Sequence, residues 1–408
     1  MKAVVFHEIG DIRLEDVPDP RIEQPTDAII RLTSSAICGT DLHFVRGTFS
    51  GMKSGAILGH EGVGIVEEMG EGVRNLDRGD RVVVCSTIGC GSCSYCRAGY
   101  FSQCDRANPN GKRAGTAFFG GPPATGSYNG LQAEKARVPF AHVTLVKLPD
   151  EVSDDQAIMI SDIFPTGYFG ADLAEVTNGD TVAVFGCGPV GQFAIASAKL
   201  KGAGRVIAID KYEDRLATAR RQGAEVVNFE KEDPVETILK LTDDVGVDRV
   251  IDAVGVDAMH AHHGPAAEAA EKKQQAFEQE RQQIAPKQNP KDGAFVPGDA
   301  PSQALEWAVA AVAKAGTIGI IGVYPPAAQT FPIGQVMNKN LTIKAGNCPH
   351  RRYIPMLVEL VRTGAIDPAK ILSKVEPIQD VIEAYKAFDK RQPGWLKVEL
   401  TPERMAAE

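Results

Sequence analysis

The sequence predicts an α/β protein in two parts, a β-rich domain and a doubly wound parallel sheet with helices. Residues 1 to about 160 carry short β-branched runs broken by glycine, which reads as an all-β region with many turns. From about Thr166 onward, strand-like runs alternate with helical stretches, the pattern of a parallel sheet wound on both faces. A chain of 408 residues is also too long for one ordinary core.

In chain order, "AVVF", "AIIRLTSSAI", "VGIVEEMG" and "DRVVV" are the clearest strands of the first part. In the second part six runs qualify: "TVAVFG", "RVIAID", "AEVVNF", "VDRVIDAVG", "GTIGIIG" and "LTIKAG". Between Val256 and Ala304 the alternation stops. The segment is polar, first helix-favouring and then rich in proline and glycine, where an α/β unit needs only a short loop. It reads either as a solvated insertion or as a lid over a ligand. "SQALEWAVAAVAKAG", "MLVELVRTGAI" and "DVIEAYKAFDK" read as helices and "GWLKVEL" as a closing strand. The β-rich domain is expected at about 1–163 and 347–408, interrupted by the α/β domain at 164–346.

A formal net charge of −9 argues against nucleic acid or an anionic membrane as the main partner. No apolar run reaches the length of a bilayer span. The N-terminal "MKAVVFHEIG" lacks the apolar core of a signal peptide, so a cytoplasmic location is expected. In a reducing compartment eight cysteines are metal ligands, buried thiols or catalytic groups rather than disulfides.

"TVAVFGCGPVGQFAIASAKL" sets Gly186, Gly188 and Gly191 between a strand and a helix, and "RVIAID" ends in Asp210 about twenty residues on. With both flanks present this is the dinucleotide-binding pattern of a Rossmann domain. The first glycine permits the tight turn, the second admits pyrophosphate to the backbone, and the third lets helix pack on strand. The helix N-terminus attracts the phosphates. Pro189 and Val190 complete the turn. A carboxylate at Asp210 accepts the ribose hydroxyls of NAD and repels the 2′-phosphate of NADP, although Lys211 and Arg215 lie close behind. NAD is the expected cofactor, with Arg215 among its neighbours.

"CGSCSYCRAGYFSQC" supplies Cys90, Cys93, Cys96 and Cys104 from one loop, about 88–106. Four thiolates at this spacing close a tetrahedral zinc with no position left for substrate. Such an ion is structural, stapling a lobe of little apolar content. An iron–sulfur cluster and two disulfides are the chemical alternatives.

A second metal site has competing candidates. "CGTDLH" offers Cys38 and His43, and "GHEGVG" offers His60 and Glu61. Together with the cysteine lobe and "GCGPVG", these motifs resemble the zinc-dependent medium-chain alcohol dehydrogenases, in the family's order and over nearly the whole chain. The resemblance implies a GroES-like catalytic domain beside the Rossmann domain, with two Zn2+ per chain and NAD. It implies Cys38 and His60 as catalytic zinc ligands and His43 as the proton-relay histidine. Thr40 takes the place of the hydroxyl that contacts substrate, Asp41 that of the carboxylate supporting the ligand histidine, and Glu61 that of a glutamate near the metal.

The third ligand departs from the common pattern. Where many members have cysteine or glutamate four residues before "TGY", this chain has Asp162 in "SDIFPTGY". A carboxylate is an acceptable ligand and donates less electron density than thiolate, which makes the ion a stronger Lewis acid; the alternative is a solvated helix cap. Thr166 would pack on the nicotinamide. Gly39 stands where many members carry a basic residue for the pyrophosphate, and Lys397 is the candidate replacement.

Asp162, the polar insertion and "GPPATGSYNGLQAEKARVPFAHVTLVKLPD" most resemble the glutathione-independent formaldehyde dehydrogenase and aldehyde dismutase branch. There an insertion covers the adenine end of NAD, which supports the lid reading of 257–304. The implied reaction moves a hydride between NAD and a small alcohol or aldehyde hydrate, the proton leaving by Thr40 and His43. A polyol or threonine dehydrogenase is the alternative within the chemistry, and a non-enzymatic NAD sensor outside it. The resemblance also implies a homo-oligomer, a dimer or tetramer. His260, His262 and His263 read as surface histidines near the cofactor; Cys85, Cys187 and Cys348 read as small buried residues. His7, His142 and His350 have no partner identifiable from sequence.

Overall fold

The computed structural model describes residues 1–287, 289 and 293–402. Part of the 257–304 insertion (288 and 290–292) and the end of the chain (403–408) lie outside the described residues.

The six runs of the second part form one sheet of six parallel strands. Their order is Glu225–Asn228, Arg205–Asp210, Thr181–Phe185, Val247–Asp252, Val312–Ile320 and Thr342–Ala345. The central strands are buried along most of their length, which is why they read as near-continuous apolar runs rather than alternating ones. Chain order reverses between Thr181–Phe185 and Val247–Asp252, and a ligand crevice opens at such a switch point, beyond the carboxyl ends of the strands. This is the Rossmann-type architecture expected.

The remaining strands make a mostly antiparallel seven-stranded sheet. Its path runs Lys374–Pro377, Val398–Thr401, Ala28–Ile37, Gly62–Met69, Arg81–Val84 and Leu145–Lys147, with Lys135–Val138 also on Ala28–Ile37. A small sheet of Asp11–Asp16, Lys2–Glu8 and Ala56–Ile57 adjoins it. The β-rich sheet therefore draws on both ends of the chain, as a GroES-like fold requires.

Two helices join the sheets. Asp154–Ser161 starts in a capping box, the Ser153 hydroxyl accepting from Gln156 N–H and Gln156 Oε1 from Ser153 N–H. The next helix is Ile163–Leu173, and Asp162 between them leaves helical geometry (φ −140°, ψ −62°). Pro165 explains the break: it has no N–H for the Ser161 carbonyl, and its ring excludes that carbonyl. Phe164 stacks on Phe193 at 4.7 Å, in a core that also contains Val63, Val83 and Ile354. This core joins the β-rich sheet to these helices and, through Phe193, to the first helix after the glycine turn.

Three elements differ from the sequence reading. The helix expected over 302–316 stops at Ala311, because Val312 joins the parallel sheet opposite Val247. The helix expected from Met356 begins at His350 and tolerates Pro355 within it. The insertion folds as Pro265–Glu271 and Gln274–Ile284 before its proline-rich part. No helix among the described residues is long and apolar enough to cross a membrane.

Candidate active site

The glycine turn lines a cleft between the sheets. Gly186 has φ +89°, which favours glycine. A Cβ on Gly191 would lie 1.9 Å from Gly186 O, so only glycine lets this helix approach the turn. A Cβ on Gly188 would meet only the Arg215 guanidinium, at 3.7 Å, and Gly188 lines the cleft with Pro189 and Val190. Asp210 ends its strand 7% exposed. Its Oδ2 accepts from Cys187 N (2.8 Å) and its Oδ1 from Lys211 N (2.7 Å) and Tyr212 N (3.0 Å), which holds the carboxylate at the cleft edge. Arg215 lines the same cleft, its guanidinium over the Tyr212 ring.

Deeper in the cleft, donor atoms of Cys38, His60, Glu61 and Asp162 lie within 4.8 Å of one another, all buried. Cys38 Sγ is 3.6 Å and His60 Nε2 3.3 Å from Asp162 Oδ2. Ligands about 2.0–2.3 Å from a tetrahedral zinc stand about 3.3–3.8 Å apart, so the spacing fits such an ion. The chemistry fits as well. Asp41 Oδ1 lies 3.1 Å from His60 Nδ1, and a carboxylate can only accept, so Nδ1 carries a proton. That leaves the Nε2 lone pair facing a carboxylate oxygen, an arrangement that calls for a cation or a second proton between them.

The electrostatics agree. Burial pushes the Cys38 thiol up to about 11, with His60 opposing; a neighbouring cation is what would ionise it. Burial alone would lower His60, but Asp41 and Cys38 raise it well above the usual histidine value. Burial alone would raise Asp162, yet hydrogen bonds from His350 and His60 hold it well below the carboxylate range. Glu61 is raised, first by burial, with Lys397 opposing, and its Oε1 makes no hydrogen bond.

His43 does not enter this cluster. Its Nδ1 lies 2.8 Å from Thr48 Oγ1 and 3.2 Å from Asp257 Oδ2, and the ring is 5% exposed. Thr40 lines the cleft, with no direct hydrogen bond to His43 among the described residues, so a proton path between them needs a further group. Thr166 lines the cleft and donates to Asp162 Oδ1 at 3.0 Å. Asp162 makes no helix-cap hydrogen bond and is 7% exposed, which removes the solvated-cap alternative.

Lys397 is not at the cleft. It is 0% exposed and bonds Glu61 and the Ile37 carbonyl (3.1 Å). Its strand partners Ala28–Ile37 inside the β-rich sheet, so the ammonium neutralises a buried carboxylate and does not reach a phosphate. Arg391 lines the cleft instead, with Arg215 and Lys211. Its hydrogen bonds go to Met259 Sδ and the Asp257 carbonyl, leaving a guanidinium without a carboxylate in its own bonds.

In the lobe, Cys90, Cys93, Cys96 and Cys104 lie within 4.8 Å of one another, and Cys93 Sγ is 3.9 Å from Cys104 Sγ. All eight cysteines are free. Sulfurs this close fit around a single ion, whereas a multi-iron cluster would hold them farther apart. Cys104 is lowered to about 4, first by the hydrogen bond from Cys96, the behaviour of crowded thiols sharing protons. Cys85, Cys187 and Cys348 are buried.

The insertion flanks the cleft with Ala258, Met259, Gln303 and Ala304. His260 and His262 gather with Asp299 within 4.8 Å. The His260–Asp299 pair (3.0 Å) accounts for the grouping, and His262 is held low by burial and then by Lys211, a field unfavourable to a cation.

His350 is the residue missed from sequence. It is 3% exposed, its Nε2 lies 2.6 Å from Asp162 Oδ1, and its Nδ1 lies 3.0 Å from Thr87 Oγ1. The available signal was its place just after the edge strand Thr342–Ala345, at the carboxyl end of a parallel sheet, where ligands bind.

The chain is similar to known proteins over nearly its whole length. Residues 24–150 match the alcohol dehydrogenase GroES-like domain and residues 189–262 the zinc-binding dehydrogenase domain. The zinc-type alcohol dehydrogenase-like protein AdhB of Bacillus subtilis is 42% identical, covering 98% of this chain and 100% of that protein. The glutathione-independent formaldehyde dehydrogenase of Pseudomonas aeruginosa is 33% identical, covering 96% of each. The structure of the alcohol dehydrogenase TADH from Thermus sp. ATN1 superposes with a TM-score of 0.79 at 33% identity, over 98% of this chain and 99% of that one. The chain belongs to the zinc-type medium-chain alcohol dehydrogenase family of oxidoreductases.

Proposed function

We propose that this protein is a zinc- and NAD-dependent dehydrogenase of small alcohols or aldehyde hydrates, formaldehyde dehydrogenase-like in substrate. The observation that carries the reading is the tetrahedral spacing of Cys38, His60 and Asp162 in the cleft that the glycine turn also lines. When bound, zinc at these residues would supply Lewis acidity to a substrate oxygen, and NAD would supply the hydride acceptor.

The chain's own residues do the rest. Asp41 fixes the ring of His60 through Nδ1. The Thr40 hydroxyl accepts the proton of the substrate hydroxyl and gives up its own to a bridging group, which passes it to His43, itself held by Thr48 and Asp257. Asp210 selects NAD over NADP, and Arg391, in place of Lys397, anchors the pyrophosphate. Burial of the cleft orients the reacting groups and excludes water. Cys90, Cys93, Cys96 and Cys104 hold a second, structural zinc. The catalytic domain comprises about 1–163 and 347–408, the nucleotide domain 164–346, and the 257–304 insertion acts as a lid at the adenine end. The protein is read as a cytoplasmic homo-oligomer.

The test combines elemental analysis, nucleotide extraction and a substrate panel on the purified protein. Two zinc ions per chain, bound NAD and turnover of formaldehyde or short alcohols are expected. Oxidation of polyols or threonine with no turnover of formaldehyde would overturn the substrate reading. Two zinc ions persisting in Cys38→Ala would overturn the site.

A further inference from the structure

We propose that His350 is a positioning residue that divides the Asp162 carboxylate, holding Oδ1 so that Oδ2 alone serves the metal. The inference deepens the reading above and rests on it.

The two oxygens of Asp162 have separate surroundings. Oδ2 faces Cys38 Sγ at 3.6 Å and His60 Nε2 at 3.3 Å. Oδ1 faces away, toward His350 Nε2 at 2.6 Å and Thr166 Oγ1 at 3.0 Å. Two donors on one oxygen leave it little capacity to turn toward a cation, so the carboxylate binds through a single oxygen.

This arrangement needs a fixed imidazole. A carboxylate accepts only, so His350 Nε2 carries the proton toward Asp162. The other nitrogen, Nδ1, is met by Thr87 Oγ1 at 3.0 Å, and that hydroxyl also reaches the Cys348 carbonyl at 3.0 Å. Thr87 is 6% exposed and His350 3%, so no bulk water competes for these bonds. His350 is also the first residue of the helix His350–Arg362, which sets its backbone beside the cleft.

The arrangement compensates for where Asp162 sits. Asp162 occupies the break between two helices, with no cap bond to orient its side chain. A thiolate there would have one ligand atom and no choice of geometry; a carboxylate has two oxygens and needs an external restraint. Outer contacts of this kind typically change metal affinity about 10–100-fold.

The experiment compares His350→Ala, His350→Gln and Asp162→Asn with the parent, each loaded with zinc. Zinc release to a chelator is followed at the two sites, and the absorption bands of Co2+ substituted at the Cys38 site are recorded. His350→Ala should release that zinc about 10–100-fold faster and shift the cobalt bands, with release from the four-cysteine site unchanged. His350→Gln, which keeps a donor, should recover part of the rate. Unchanged release and bands in His350→Ala, while Asp162→Asn loses the ion, would overturn the role of His350 alone. Zinc retained at full affinity in Asp162→Asn would instead overturn Asp162 as a ligand and the reading beneath it. Equal acceleration at both zinc sites in His350→Ala would mark a general loss of structure and also refute the proposal.

Discussion

At the residue scale, Lys397 and Glu61 form a buried ion pair in which each side chain is 0% exposed. Removing one partner leaves a charge without water or counter-charge, a loss of about 3–5 kcal/mol. Lys397→Met should therefore lower stability by that order in urea titration, and adding Glu61→Gln should return most of it. A double variant as unstable as the single would show that packing, not charge, is what Lys397 contributes. Asp210 invites a second substitution. Its oxygens are held by three backbone N–H groups, so Asp210→Asn keeps the volume and removes the charge while giving up the bond from Cys187 N, where an amide NH2 cannot accept. The ratio of kcat/KM for NADP to that for NAD should rise about tenfold or more; an unchanged ratio would point to Arg215 and Lys211 as the selectors.

At the element scale, the closing strand Val398–Thr401 brings Glu399 into the β-rich sheet beside Ser35 and Ala36, 2% exposed. Burial pushes its carboxyl up to about 7; Ser34 opposes, and Asp155 and Asp154 add to the rise. The folded carboxyl keeps its proton to about pH 7, whereas the ordinary value is 4.5. Its contribution to stability is thus complete below about 4.5 and is lost as pH rises through about 7. Glu399→Gln has no such titration. Denaturant unfolding at pH 5 and pH 8 should show the variant gaining on the parent by up to about 3 kcal/mol at the higher pH. A gap independent of pH would contradict the raised value.

At the scale of the whole molecule, Arg46 ties three regions together. Its helix, Gly39–Arg46, belongs to the β-rich part, and the guanidinium pairs with Asp257 and Asp389 while 3% exposed. Those carboxylates in turn accept from Gly298 N (3.1 Å) and Phe295 N (2.6 Å) of the insertion. One cation therefore fastens the helix Gly39–Arg46, the root of the insertion and the helix Val381–Asp389. Arg46→Met should make the 257–304 segment cleave faster in limited proteolysis and speed release of bound NADH, measured by its fluorescence. Wild-type rates in both assays would show that the insertion is held by its other contacts.

The sequence alone determined what is encoded locally. The turn of Gly186, Gly188 and Gly191 needs only its own strand and helix, and four cysteines within fifteen residues can meet only one another. The six parallel strands follow from apolar runs separated by helices, because a strand buried on both faces must be apolar throughout. Cys38, His60 and Asp162 were named through a resemblance, and their spacing says nothing of their meeting. Cys38 and Asp162 are separated by 124 positions and His350 and Asp162 by 188, and contacts at that range are set by how helices pack on sheets. Lys397 shows the same limit from the other side: "GWLKVEL" reads as a strand, but which face of it meets Glu61 depends on its register with Ala28–Ile37. A one-residue shift would turn every side chain to the other face. Tertiary packing therefore decided that Asp162 is a buried, divided carboxylate, that His350 restrains it, and that Arg391, not Lys397, joins Arg215 in the cleft.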